Sequence, residues 1–427
     1  MKIFSMLLAL VAGAFFTLNC HAQGPVPVKV KATKDGFELL RNGKPYFIKG
    51  AGGTNYTDRL ARYGGNSIRT WDTRNGTEVL DKAQSLGLTV TMGLNVARER
   101  HGFNYDDTAA VHAQLERLRK EVIKYRNHPA LLIWGIGNEL NLDYKNPNVW
   151  NAVNDIAKMI HAEDPNHPAT TMLAGVNKRE IDLIKERCPQ LDLLSVQVYG
   201  GLASVPQQLA RAGWQGPYIV TEWGPTGHWE GPQTAWKASV EETSSQKAAV
   251  YKSRYEASIQ KDKHCLGSYV FLWGQKQERT PTWYGLFTEA GEENEVVDLM
   301  QYLWTGKYPA DRAPHLAEAL LNGKSATDNI YLEPGSSYPI ELKVNDADND
   351  QLTTRWELLP ESTDLKQGGD RESRPAPIAG LIKAERYDKA TLKTPEKEGA
   401  YRLFMYVSDG HNKVATANIP FYVNASR

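Results

Sequence analysis

Cysteine is nearly missing from this chain: there are three in 427 residues, and Cys20 falls in an apolar leader. Cys188 and Cys265 allow at most one bridge, which excludes a disulfide framework and leaves one pair or two buried thiols open. Net charge is missing as well, with 50 basic residues against 50 acidic, so the electrostatic footprint of a nucleic-acid or anionic-membrane binder is absent. The ten histidines show no metal-ligand spacing and no His-Glu-x-x-His run. No Gly-x-Ser-x-Gly elbow occurs. Gly50-Ala51-Gly52-Gly53-Thr54-Asn55 lacks the last glycine of a dinucleotide fingerprint and reads as a tight strand exit. Metalloenzyme, serine-hydrolase and dinucleotide-dependent chemistries have no motif to stand on, and no metal or organic cofactor is expected.

Long apolar runs are limited to the beginning of the chain. Lys2, an apolar stretch over 3–18 and the small Ala22 form the pattern of a secretory signal peptide, with cleavage expected after Ala22. The run is short for a membrane span, and Thr17-Leu18-Asn19 before Cys20 is a poor lipid-attachment context. A soluble secreted or periplasmic product is expected rather than a cell-surface lipoprotein. Aromatics, in contrast, are plentiful: 11 Trp and 20 Tyr. Flat amphipathic rings pack cores, and they also stack on sugar faces.

A chain of this length exceeds one ordinary core, although a (β/α)8 barrel absorbs about 250 residues in a single domain. Turn signals Asp35-Gly36 and Asn42-Gly43 mark a hairpin after the leader. Eight short apolar runs follow, at 46–49, 66–71, 88–95, 131–138, 169–173, 193–199, 218–222 and 267–273. Helical periodicity separates them, at 57–63, 77–86, 108–125, 149–162, 178–187, 206–212 and 240–261, and closes the series at 294–304. Such alternation predicts parallel strands with helices outside. Eight units predict a closed barrel over 23–309. Beyond Tyr308-Pro309-Ala310-Asp311-Arg312-Ala313-Pro314 the periodicity turns strand-like, which predicts a small all-β sandwich over 310–427. The polar stretch 360–377 reads as a mobile loop.

Two of the apolar runs end in a carboxylate. Leu131-Leu132-Ile133-Trp134-Gly135-Ile136-Gly137 leads into Asn138-Glu139, and Tyr218-Ile219-Val220-Thr221 leads into Glu222-Trp223. Barrel enzymes carry their chemistry at the C-terminal strand ends, so Glu139 and Glu222 should face one mouth. Retaining cleavage of a glycosidic bond needs such a pair, roughly 5 to 5.5 Å apart, one donating a proton and one attacking the anomeric carbon. Arg69 at the second strand end is placed to keep a carboxylate ionised. Asn138 is placed to bind a sugar hydroxyl, Tyr199 to donate to the nucleophile, and Trp273 to floor the pocket. Trp71, Trp223, Trp229, Trp236, Trp283 and Tyr284 are candidate sugar platforms. A bare Asn-Glu pair is not enough: Asn294-Glu295 opens a helix, where a carboxylate simply complements the helix dipole.

The segment from Asn127-His128-Pro129-Ala130 to Gly137-Asn138-Glu139 resembles the acid/base strand of the clan A glycoside hydrolases, closest to the family 2 barrel. Thr221-Glu222-Trp223-Gly224 resembles the nucleophile strand of that clan. Ile68-Arg69-Thr70, Ser195-Val196-Gln197-Val198-Tyr199 and Phe271-Leu272-Trp273 are similar to its second, sixth and eighth strands. The resemblance implies Glu139 as acid/base, Glu222 as nucleophile, and a β-linked oligosaccharide or polysaccharide as substrate. Unlike typical family 2 enzymes, this barrel follows the leader almost directly. The C-terminal part resembles PKD or cadherin-like immunoglobulin-type modules through Asn345-Asp346-Ala347-Asp348-Asn349-Asp350 and Tyr406-Val407-Ser408-Asp409-Gly410. Asp346, Asp348 and Asp350 lack the downstream glutamate of an EF-hand, and a solvated acidic turn is the expected reading rather than calcium. The expectation is a retaining glycoside hydrolase; a transglycosylase using the same residues and a non-catalytic glycan-binding protein are the alternatives.

Overall fold

The computed structural model describes residues 24–425, so the expected signal peptide at 1–22 lies outside the described residues. The chain opens with an antiparallel meander, β1 (Val28–Ala32), β2 (Phe37–Arg41) and β3 (Lys44–Pro45). Eight parallel strands then close into a barrel: β4 (Ile48–Gly52), β5 (Ser67–Arg69), β6 (Thr89–Leu94), β7 (Leu131–Ile136), β8 (Ala169–Ala174), β9 (Leu194–Gln197), β10 (Tyr218–Trp223) and β11 (Cys265–Val270). The first barrel strand starts two residues later than the sequence suggests, because the Tyr46 N–H still bonds to Leu39 O of the meander at 2.8 Å. Cys188 and Cys265 are separate buried thiols.

Helices α1 (Thr57–Arg62), α2 (Gly76–Ser85), α3 (Thr108–Tyr125), α4 (Asn148–Glu163), α5 (Lys178–Arg187), α6 (Val205–Ala212), α7 (Ser244–Ala257) and α8 (Glu295–Thr305) complete the units. Strand side chains such as Ile68, Val90, Trp134, Val196 and Val220 share one apolar core with Leu80, Leu118, Ile156 and Ile184 of the helices. Inside the barrel the layers are polar. The Tyr269 hydroxyl bonds to Ser67 Oγ at 2.9 Å and Thr91 Oγ1 at 2.5 Å, while Thr170 pairs with Ser195. Val28 and Leu39 of the meander pack with Ile48, Leu132, Ile219 and Leu266, which stand at the N-terminal ends of their strands. The bottom of the barrel is thereby plugged, and only the C-terminal mouth is left for a ligand.

Residues 315–423 form two four-stranded sheets around one core. One holds β12 (His315–Leu321), β14 (Ser337–Asn345), β17 (Lys389–Lys393) and β16 (Ile382–Arg386); the other holds β13 (Ile330–Leu332), β19 (Val414–Val423), β18 (Gly399–Ser408) and β15 (Thr353–Pro360). Strand β12 forms against its local composition. Its His-Leu-Ala-Glu-Ala-Leu-Leu is rich in helix formers, and pairing with β14 overrides that weak local preference.

Strand β18 is buried on both faces. Leu403, Met405 and Val407 point into the sandwich core, whereas the alternate residues meet the barrel. There Arg402 donates to Ser239 O at 2.8 Å, and the Asn418 amide reaches Glu241 Oε2 at 2.5 Å. Lys413 Nζ joins Glu293 at 2.7 Å and Asp298 at 2.6 Å, with both carboxylates buried. Burial pushes Asp298 up to about 6 in spite of Lys413. Removing one partner of such a cluster strands charge in low dielectric. Lys413→Met is therefore expected to lose about 3–5 kcal/mol of unfolding free energy in chemical denaturation; a loss under about 1 kcal/mol would place these charges in contact with solvent.

Candidate active site

Strand β7 ends at Ile136, and the chain turns through Gly137 and Glu139 at positive φ of 71° and 52°. A Cβ on Gly137 would lie 2.7 Å from Leu140 Cδ1, so the turn needs glycine there. Glu139 tolerates the left-handed region at a cost of roughly 1–3 kcal/mol because its N–H is tied to Met172 O at 3.0 Å. This strained turn sets Asn138 and Glu139 on the rim of the mouth. Strand β10 delivers Glu222 from the other side, in register with Gln197 of β9.

Five of the seven expected site residues converge. Glu222 is buried, and its Oε1 accepts from Arg69 Nη1 at 2.6 Å, Trp71 Nε1 at 2.8 Å and Gln197 Nε2 at 3.0 Å. Its Oε2 accepts from the Tyr199 hydroxyl at 3.2 Å. Burial and the Glu222 charge hold the Tyr199 phenol well above its ordinary range, so it stays a donor. Arg69 is 1% exposed and also bonds Thr221 O and the Asn138 side chain. Asn138 Oδ1 accepts from both Arg69 and Gln197, which leaves its Nδ2 as the donor available to the cleft.

Glu139 lines the same cleft and keeps a partial opening to it, while protein encloses its carboxyl on the other sides. Desolvation by burial, reinforced by the charge of Glu222, pushes it up to about 8, against the pull of Arg69, Arg98 and Arg100. Arg98 donates to Asn138 O at 3.0 Å. Burial and the neighbouring Arg100 lower its own proton affinity. The two carboxyls thus sit in different environments: Glu222 accepts hydrogen bonds from four side chains, and burial holds Glu139 toward its protonated form.

Trp273 and Trp223 are corrections to the sequence reading. Strand β11 ends at Val270, so Trp273 lies three residues beyond it and turns into the core. There it packs on Phe287 and Trp304 and bonds Tyr56 O at 3.1 Å. Phe271 and Leu272 line the cleft in its place. Trp223 alternates with Glu222 and faces outward onto Tyr251 and Tyr255 of α7. Of the proposed platforms, Trp71, Trp229, Trp236 and Tyr284 line the cleft, and Trp283 does not. Trp71 acts first as a hydrogen-bond donor to Glu222. Sequence reasoning gave no role to Gln197, although an amide closing an apolar strand was a signal for one.

The expected mobile loop at 360–377 is docked on the barrel. Glu372, 3% exposed, takes Arg279 Nη1 at 2.7 Å, and Asp370 takes Arg100 Nη1 at 3.0 Å. A polar composition reads as disorder until the opposite charges that fold it down are known. Among the described residues, carboxylates close enough to share a cation include Asp346, Asp350 and Asp409 in the sandwich. Asp348 stands apart, its carboxylate capping the Arg312 N–H at 2.7 Å. Asn294 caps α8 by accepting from Val296 N. No helix among the described residues is long and apolar enough to cross a membrane.

Residues 57–285, more than half of the chain, match the glycosyl hydrolases family 2 TIM barrel domain. A β-galactosidase of Pectobacterium atrosepticum is 22% identical over 365 residues, 77% of this chain and 32% of that protein. A β-galactosidase of Photobacterium profundum is 27% identical over 177 residues, 36% of this chain and 16% of that protein. The chain thus spans a third or less of the curated relatives it matches. A crystallised β-glucuronidase of Ruminococcus gnavus superimposes with a TM-score of 0.51 at 14% identity, over 66% of this chain and 53% of that one, a likeness of fold alone.

Proposed function

We propose that this chain, which belongs to glycosyl hydrolases family 2, is a retaining β-glycoside hydrolase with Glu222 as nucleophile and Glu139 as acid/base. The observation that carries this reading is the split environment of the two carboxyls in one cleft. Oε1 of Glu222 is occupied by three donors and Oε2 by one long one, so Oε2 is the oxygen left to attack the anomeric carbon. As that bond forms, Glu139 gives its proton to the departing glycosidic oxygen. Asn138 Nδ2 donates to the sugar hydroxyl beside the reacting carbon.

Esterification then removes the Glu222 charge. That charge is the second cause of Glu139's raised proton affinity, so the affinity falls and Glu139 becomes a base. It takes a proton from water, the hydroxide adds to the anomeric carbon, and Glu222 leaves as carboxylate. Two inversions restore the β configuration. We place this activity outside the cytoplasm on the strength of the leader pattern, and assign the two-sheet module to the PKD or cadherin-like immunoglobulin type on its acidic turn motifs.

Proton NMR on freshly released sugar tests the mechanism. A panel of aryl β-glycosides begins with galactoside and glucuronide, the sugars named for the similar proteins. The β-anomer is expected first, and a 2-deoxy-2-fluoro glycoside is expected to label Glu222. Initial release of the α-anomer would overturn the double displacement.

A further inference from the structure

The cleft is far larger than the cleavage site. It has a volume of about 1990 Å³, against roughly 300–1,000 Å³ for a pocket that encloses a drug-sized ligand. Its lining crosses from the barrel mouth to the sandwich, where the segment between β15 and β16 and the turn between β17 and β18 both face it. The first of these is fixed to the barrel at three points. Asp370 takes Arg100, Gly369 O takes Lys276 Nζ at 2.8 Å, and the buried Glu372 takes both the guanidinium and the backbone N–H of Arg279. It is a wall, not a loose loop.

Its position relative to the chemistry follows from one strand exit. Arg98 bonds the Asn138 carbonyl beside Glu139, and two residues further on Arg100 holds Asp370. The wall therefore stands on the side of the proton donor, where the departing group lies. Trp229, which lines the same cleft beside His228, is 58% exposed, its ring braced edge-on by Tyr199 at 5.5 Å and His228 at 4.8 Å. Leu365 of the wall is 52% exposed into the same space. Large apolar side chains left open to one cleft, between flanking polar groups, suit the faces and hydroxyl edges of a sugar chain.

We infer that the C-terminal sandwich is part of the substrate site: residues 363–371 bind the sugars of the leaving group, so the substrate is a β-linked oligosaccharide or polysaccharide. This rests on the hydrolase reading above. A small aryl leaving group does not reach the wall, whereas a leaving oligosaccharide is bound by it through the first chemical step.

The test compares the wild type with two variants, a replacement of 363–371 by two glycines and the double substitution Leu365→Ser/Gln367→Ala. The second changes only exposed side chains, so it reports even if the first fails to fold. Substrates are an aryl β-monoglycoside and β-linked gluco-, xylo- and galacto-oligosaccharides from disaccharide to hexasaccharide. The wild-type kcat/KM is expected to rise with chain length, and both variants to lose about tenfold on the longest substrate while changing less than about twofold on the aryl glycoside. Equal effects on both substrates, no effect on either, or a wild type that cleaves aryl glycosides but no oligosaccharide would overturn the inference and leave the hydrolase reading standing. A wild type inert on every substrate would overturn the hydrolase reading itself.

Discussion

Glu222→Ala is expected to lower kcat on an activated aryl β-glycoside by about 10⁴ to 10⁶, the range seen when a covalent nucleophile is removed and only binding and electrostatic terms survive. The substitution does more than delete an oxygen. It leaves the Arg69 guanidinium, 1% exposed, without its counter-charge, so the variant should also melt lower than the wild type. Glu222→Gln separates the two effects by keeping the volume and part of the hydrogen bonding. Azide, small enough to occupy the space vacated in the alanine variant, should restore turnover and yield the α-glycosyl azide, because it would attack from the face proposed for Glu222. An alanine variant with wild-type turnover would end the assignment.

Glu139→Gln comes next in size. Loss of a general acid typically costs about 10² to 10⁴, but only where the leaving group needs its proton. A glycoside of a simple alcohol should show the full loss in kcat/KM, and a dinitrophenyl glycoside very little in the first step. The pH dependence carries a sign. As the proposed acid, Glu139 must be protonated to act, so wild-type kcat/KM should fall as pH rises through about 8, and the glutamine variant should lose that limb. Stability follows the same linkage. The folded-state value, about 8, lies above the ordinary 4.5. Folding therefore favours the protonated form, and the stability this group contributes is complete below 4.5 and lost as pH climbs through about 8. Thermal melts above pH 8 should find Glu139→Gln more stable than the wild type, and a reversed order would show that the carboxyl is not desolvated.

How much of this could be read without coordinates depends on how local each feature is. Periodicity and turn residues placed the barrel strands to within a few residues, because a buried parallel strand must be apolar on both faces and must be followed by a helix. The same logic put Glu139, Glu222, Arg69, Asn138 and Tyr199 at strand ends. It failed at Trp273, where the strand stops three residues early, and at Trp223, whose neighbour already occupies the inward direction. Strand β12 failed for a different reason, since sheet pairing outweighed its helical composition.

By itself, then, the sequence determined the barrel and the two carboxylates, features encoded in apolar spacing and in single residues that interrupt it. Only the tertiary structure decided what surrounds them. The three donors on Glu222 Oε1 come from the ends or exits of two strands, Arg69 and Trp71 from β5 and Gln197 from β9. The cleft wall comes from a polar segment about 150 residues beyond Glu222. It is ordered by Arg100, Lys276 and Arg279, charges far from it in the chain. Local pattern carries no record of such pairings, because their energy depends on which surfaces the closed barrel brings together.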